Sequence, residues 1–292
     1  MTAVADRPSL LKSVARSVLP RPARNWLRSP VESLHYVYDE GLFSLGVVRQ
    51  LEIRPGWRLS AHPGAFRMAF WAQVHDSEQV GEFDRFVSTC RTDMVLFDIG
   101  AHFGLFSLAA LHYAPSAFCV AVEPSRLAAR MLRLHATLNY PERRLLIRRA
   151  AAGASVGTAR MVDAGIQSRG YFITAEGYRR TGDVTLVPAV TVDALAAEYG
   201  VSPTHLKIDV EGDEAGVLAG ATRALRAHGA RRPIVFLELH NEIIRARGDM
   251  PGRALDILTA CGYRIEAPSG APLSVHDAVR PAVTRLVALP RE

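Results

Sequence analysis

From Met94 onward, short apolar runs of strand length alternate with longer stripes at helical spacing, the pattern of βα units around a parallel sheet. Met94 to Phe97 reads as a buried strand, and Leu105, Phe106, Leu108, Ala109 and Leu111 then recur on one face of a helix predicted over 104–113. Ala117 to Val122 predicts a second strand. A helix from Ser125 to Asn139 follows, with Leu127, Met131, Leu134 and Leu138 as its core stripe. Further strands are expected over Leu145 to Arg149, His205 to Val210, Pro233 to Leu239, 262–266 and Val283 to Leu289. The helices between them are predicted after Thr191, which is placed to cap one, over Glu214 to Arg226, and over 251–260.

Three stretches depart from this rhythm. Residues 153–187 interrupt it with Gly, Ser, Thr and Arg around Met161-Val162 and Tyr171-Phe172-Ile173. This predicts irregular strands or a hairpin inserted where loops shape a substrate site. Tyr171, Phe172 and Tyr178 are candidate walls of such a site, although packing onto the sheet explains them equally well. Residues 31–93 form a lead-in, with short strands at Leu51 to Ile53 and Trp57 to Leu59 about Pro55-Gly56, and a helix from Ser77 to about Cys90. Residues 1–30 carry Arg7, Lys12, Arg16, Arg21, Arg24 and Arg28 against Asp6 alone, with Leu10, Leu11, Val14 and Val18 on one helical face. Residues 8–28 are therefore a candidate peripheral contact with an anionic membrane surface. The apolar face is short, which favours a basic tail or a helix packed on the domain. The expected organisation is a basic segment, 1–30, the lead-in, 31–93, and an α/β domain, 94–292.

The chain has 292 residues, 49% of them hydrophobic, enough for one large core. A net charge of +6 raises the question of nucleic acid. The basic residues are nearly all arginine, with Lys12 and Lys207 the only lysines, and scattered arginine is no phosphate-binding face. Cys90, Cys119 and Cys261 form no C-x-x-C pair, which points away from structural zinc and toward a reducing, cytoplasmic setting. No apolar run reaches the ~20 residues a membrane span needs.

The candidate chemistry sits at the strand tips. The first strand runs into Asp98-Ile99-Gly100-Ala101-His102-Phe103-Gly104, and ligands of open α/β sheets bind at that turn. The dinucleotide pattern G-x-G-x-x-G fails here, because His102 and Leu105 fall where its second and third glycines belong. Asp98 would repel a pyrophosphate and attract an ammonium group. The second strand ends in Glu123-Pro124, an acid placed to accept hydrogen bonds from ribose hydroxyls. S-adenosylmethionine satisfies both demands; in the competing reading Asp98 caps the next helix and Glu123 is a surface acid. In the fourth strand Lys207, Asp209 and Glu211 share one face, either as a Lys207–Asp209 ion pair with Glu211 capping the next helix, or with Asp209 beside the transferred methyl. The fifth ends in Glu238-Leu239-His240, and two adjacent acidic tips suit general-base chemistry or an oxygen-rich divalent metal site. A lone histidine after a strand is more often structural.

Phe97 to Gly104, Ala121-Val122-Glu123-Pro124 and Leu206-Lys207-Ile208-Asp209-Val210-Glu211-Gly212-Asp213-Glu214 resemble the FkbM family of S-adenosylmethionine-dependent methyltransferases, over about Glu78 to Glu266. The resemblance implies a Rossmann-like class I fold, a mostly parallel seven-stranded sheet with helices on both faces, its last two strands forming a reversed hairpin. It implies a cofactor site at Asp98, Gly100, Ala101, His102, Gly104, Glu123 and Pro124, and O-methylation of a sugar, glycan or secondary-metabolite hydroxyl. Glu78 or Glu82 would lie near the methionine end, against an ordinary role as a surface acid in a first helical turn. At His102 the family usually has Asn, and a charged imidazole would alter the contact made there. Asp209, with Glu211 or His240, is the candidate catalytic set. An NAD-dependent oxidoreductase and a non-catalytic scaffold that binds the cofactor are the rival readings.

Overall fold

The apolar runs pair edge to edge into one sheet. The computed structural model describes residues 37–64, 77–141, 144–162, 171–172, 184–227 and 232–291. The predicted basic segment and membrane contact, residues 1–30 and 8–28, lie outside them, as does Tyr178. Residues 37–49 with 62–64 form one compact unit, in which His62 is buried with its Nε2 3.4 Å from Glu40.

The second unit holds the sheet. Its strands are β3 (Val95–Ile99), β4 (Phe118–Val122), β5 (Arg144–Arg148), β10 (His205–Ile208), β11 (Ile234–Leu239), β12 (Tyr263–Glu266) and β13 (Thr284–Pro290). Their order is β12-β13-β11-β10-β3-β4-β5. β3, β4, β5, β10 and β11 run parallel, and β13 lies antiparallel between β11 and β12. The expected seven-stranded sheet and reversed terminal hairpin are present.

Before the sheet come β1 (Arg49–Arg54), β2 (Trp57–Ala61) and helix α1 (Ser77–Thr89). Within it are α2 (Leu105–Tyr113), α3 (Arg126–Asn139), α4 (Val192–Tyr199), α5 (Glu214–Ala219), α6 (Thr222–Leu225), α7 (Asn241–Ala246), α8 (Gly252–Ala260) and α9 (Val275–Val279). Ser125 and Thr191 accept hydrogen bonds from Ala128 and Ala194, capping α3 and α4 as the sequence predicts. The single helix expected over Glu214 to Arg226 is two, parted at Gly220 and Ala221, where the chain passes close to its neighbours. A Cβ there would lie 2.2 Å from the Gly153 carbonyl oxygen and 3.0 Å from Thr191. The expected insertion, residues 153–187, holds β7 (Gly157–Val162) and β8 (Tyr171–Phe172), which join β6 (Ala151–Ala152) and β9 (Val184–Val190) at its borders in a separate sheet ordered β6-β9-β7-β8.

Alternation along the strands sorts the core. Phe97, Ile99, Val120, Leu206, Ile208, Val235 and Leu237 pack with Leu195 of α4, Val217 of α5 and Leu255 of α8 in one apolar cluster. The intervening positions carry Asp98, Lys207 and Glu238, and Lys207 pairs in register with Asp98 on one side and Phe236 on the other. Phe83 and Phe86 of α1 and Phe106 of α2 pack edge to face, and Phe86 meets Phe236 the same way. Among the described residues, no helix is long and apolar enough to cross a membrane.

Candidate functional site

Two turns meet at the carboxyl end of the sheet. In the first, Gly100 adopts φ +80, and a Cβ there would lie 1.7 Å from the backbone oxygen of Asp209. The glycine is required by the neighbouring β10 turn, not only by a ligand. Asp209 N–H donates to the Ile99 carbonyl at 2.9 Å, so the two motifs are fastened from both directions. Gly104, at φ +87, faces α3, where a Cβ would meet Leu132 Cδ1 at 2.0 Å.

His102 lies between them at φ 49. Asn and His are the larger side chains most tolerant of that left-handed region, so the exchange of one for the other preserves the turn. Loss of hydration pushes the imidazole down to about 3, so it is neutral near pH 7 and not the charged group the sequence left open.

The backbone donors of this turn are used internally. Gly100 and Ala101 N–H both donate to the Val122 carbonyl, at 2.9 and 3.0 Å. His102 N–H donates to Glu123 Oε2 at 2.8 Å, and Ser125 N–H to Glu123 Oε1 at 2.7 Å. Glu123 is thus buried, not a surface acid, and it ties the glycine turn to the β4 tip that continues into Pro124.

Asp98 is also buried. Its Oδ2 accepts from the N–H of Ser107 at 3.0 Å and from its hydroxyl at 2.7 Å. It therefore does satisfy the first turn of α2. Oδ1 has no partner among the described residues. Burial raises this carboxyl to about 6, against the pull of the Ser107 bonds and of Lys207.

The second turn follows β10. Glu211 takes φ 56 and Gly212 φ 110, and the Gly212 N–H donates to Glu214 Oε1 at 2.9 Å. The anticipated Lys207–Asp209 pair is not the main one. Lys207, 1% exposed, donates to Glu82 Oε1 at 2.8 Å and lies 3.9 Å from Glu238 and 4.8 Å above the Phe106 ring. Glu82, expected at the surface, is 2% exposed, because it lies on the face of α1 that covers the sheet. Arg285 of β13 completes the network, 2.6 Å from Glu238 and 3.7 Å from Glu82. The clue for both was a charge inside an apolar stripe: Glu82 before Phe83, and Arg285 among Leu286, Val287 and Ala288.

His240 gathers the acids of both tips. Its Nδ1 is 2.8 Å from Glu214 Oε1, and its Nε2 lies 3.8 Å from Asp209, 3.7 Å from Glu211 and 3.8 Å from Glu238. Burial alone would depress the imidazole. The Glu214 hydrogen bond and the charges of Asp209, Glu211 and Glu214 outweigh it and lift the ring to about 10. Asp209 is pushed well above the ordinary carboxylate range by burial and by Glu238, with Lys207 and His240 opposing. The structure thus brings together Asp209, Glu211 and His240, joins to them Glu82, which only the family resemblance had set near this end of the sheet, and adds Glu214 and Arg285, which the sequence reading did not place in the site.

Residues 98–265 match the family model described as the methyltransferase FkbM domain. No curated protein sequence matches the chain. Among solved structures, a methyltransferase FkbM from Methylobacillus flagellatus KT is similar at 16% identity and a TM-score of 0.43, over 76% of this chain and 54% of that one. A precorrin-6y C5,15-methyltransferase from Geobacter metallireducens GS-15 aligns at 13% identity and 0.42, over 74% and 90%. M. jannaschii TYW2, solved in complex with AdoMet, aligns at 10% and 0.40, over 82% and 84%. The chain spans about half the length of the Methylobacillus protein.

Proposed function

Since the chain belongs to the FkbM methyltransferase family, we propose that it moves a methyl group from S-adenosylmethionine to a hydroxyl of a sugar, glycan or secondary metabolite. The observation that carries this reading is the contact of Gly100 with the Asp209 carbonyl, which sets a nucleoside-type cofactor turn directly against a carboxylate cluster.

The donor set of the first turn fits S-adenosylmethionine and not a dinucleotide. A pyrophosphate needs free backbone amides, and those of Gly100, Ala101 and His102 are spent on Val122 and Glu123. Carboxylates remain as the ligand-binding groups. Asp98 Oδ1 is available to an ammonium, and the Glu123 carboxylate, which accepts from the His102 and Ser125 N–H groups, stands at the β4 tip where a ribose would lie. Gly100, Ala101, His102, Gly104 and Pro124 shape the turn around them. Bound there, S-adenosylmethionine supplies an electrophilic methyl on sulfonium sulfur.

The chain's own residues handle the acceptor. Methyl transfer to an alcohol needs the oxygen aligned and its proton removed. Asp209, whose raised proton affinity suits a general base, takes that role, with Glu211 orienting the acceptor and His240 holding the carboxylates in place. A non-catalytic scaffold would not require so costly a cluster at the same tips.

Calorimetry tests the cofactor site. Wild-type protein binds S-adenosylmethionine and leaves NADH fluorescence unchanged, and Glu123→Ala weakens cofactor binding by roughly 1–3 kcal/mol, with circular dichroism confirming the fold. Equal affinity in the variant would remove Glu123 from the site, and NADH binding would favour the oxidoreductase.

A further inference from the structure

The methyl-transfer reading gives the acceptor's proton to Asp209 and leaves open what holds the hydroxyl beside it. The cluster is arranged in an unusual way for a set of ion pairs. His240 Nε2 faces carboxylate oxygens of Asp209, Glu211 and Glu238 at 3.8, 3.7 and 3.8 Å. These spans are too long for hydrogen bonds, and among the described residues Nε2 makes none. The His240 side chain is only 7% exposed, and its Nε2 faces three acids without bonding any of them.

Its other nitrogen is fixed. Nδ1 is held at 2.8 Å by Glu214, whose side chain is 0% exposed and whose second oxygen, Oε2, has no partner among the described residues. A buried carboxylate on one imidazole nitrogen, with the other turned into a group of acids, is the outer-shell arrangement that orients metal-binding histidines. The remaining positions belong to firm elements: Asp209 directly follows β10, Glu238 lies in β11, and His240 opens α7. Ligand atoms of Asp209, Glu238 and His240 lie within 4.8 Å of one another. With bonds of about 2.0–2.2 Å, one cation reaches across each of the His240 spans, and a small carboxylate rotation closes the rest.

We propose that Asp209, Glu238 and His240 bind one divalent transition-metal cation at the adjoining tips of β10 and β11, the cation displacing the Nε2 proton of His240 to solvent, with Glu214 as the outer carboxylate. One imidazole with two carboxylates suits Mn2+ or Zn2+ better than Ca2+, which prefers an all-oxygen shell. Three protein ligands leave coordination positions for an acceptor hydroxyl and a neighbouring oxygen. A hydroxyl held there loses its proton more readily; with Asp209 engaged as a ligand, the role of base passes from it to Glu211, 3.7 Å from His240 Nε2. The cation's role in catalysis rests on the methyl-transfer reading; its binding does not.

Mn2+ titration of the full chain, followed by electron paramagnetic resonance without acceptor, is the test. The wild type should take up one equivalent and show coupling to a single imidazole nitrogen. Asp209→Asn and His240→Gln should abolish that uptake, and Glu214→Gln should weaken it by about 10–100-fold, each with an unchanged circular dichroism spectrum. No uptake at millimolar Mn2+, uptake without nitrogen coupling, or equal uptake by Asp209→Asn would each overturn the site. S-adenosylmethionine calorimetry on the same samples separates the two readings. Cofactor binding without Mn2+ defeats the cation alone, whereas Mn2+ without cofactor binding retains the cation and defeats methyl transfer.

Discussion

Asp98→Asn should make the protein more stable at neutral pH while weakening the binding of S-adenosylmethionine proposed for this tip. The carboxyl is buried, and its proton affinity rises from the ordinary 3.8 to about 6 on folding. A rise of that size corresponds to about 3 kcal/mol. The sign follows from proton counting. Between pH 3.8 and about 6 the native state holds a proton that the unfolded chain has released, so this residue's contribution to stability falls as pH rises through that window. Above it, ionised Asp98 is a standing cost. Asparagine keeps a carbonyl oxygen for the Ser107 N–H and hydroxyl, which both bond to one Asp98 oxygen, so the first turn of α2 remains satisfied. Urea denaturation of both proteins from pH 4 to pH 8 measures the difference. It should be small at pH 4 and grow to as much as about 3 kcal/mol in favour of the variant by pH 7. A difference that does not change with pH, or a variant less stable at pH 7, would refute the assignment of a strained, functional carboxylate at this tip.

Other perturbations follow from the same contacts. Lys207→Met should cost about 3–5 kcal/mol in denaturant unfolding, because it leaves Glu82 and Glu238 buried with Arg285 alone. The double variant Lys207→Met/Glu82→Gln should recover part of that loss, and no recovery would mean the cost lies in packing over Phe106. Gly100→Ala should be the more damaging of the two glycine substitutions, since its Cβ meets the Asp209 backbone, while Gly104→Ala meets a leucine end that can rotate. We expect more than about 3 kcal/mol for the first and about 1–2 kcal/mol for the second, and a reversed order of thermal midpoints would contradict the contact described.

The sheet was readable from sequence because its strands are short apolar runs and its helices carry stripes, both properties of contiguous residues. Boundaries moved by only a residue or two at β5, β10 and β13. The positions of Asp98 and Glu123 were readable for the same reason, as each sits at a strand end that the pattern fixes. What escaped the sequence depends on partners far along the chain. Glu82 pairs with Lys207 across 125 positions, and Arg285 with Glu238 across 47. Periodicity marks Glu82 only as a charge on a helix. Similarly, the break between α5 and α6 lies where Gly220 passes close to Gly153 and Thr191, which no local propensity reveals.

The missing side chain at Gly100 has a consequence for engineering. Because one peptide unit of the fourth strand's loop fills that space, the two loops cannot be exchanged independently. A chimera that takes residues 94–104 from a relative inherits a demand on the geometry of residues 209–212. Recombination libraries built on this scaffold should therefore move both loops as a single cassette and place their crossovers elsewhere.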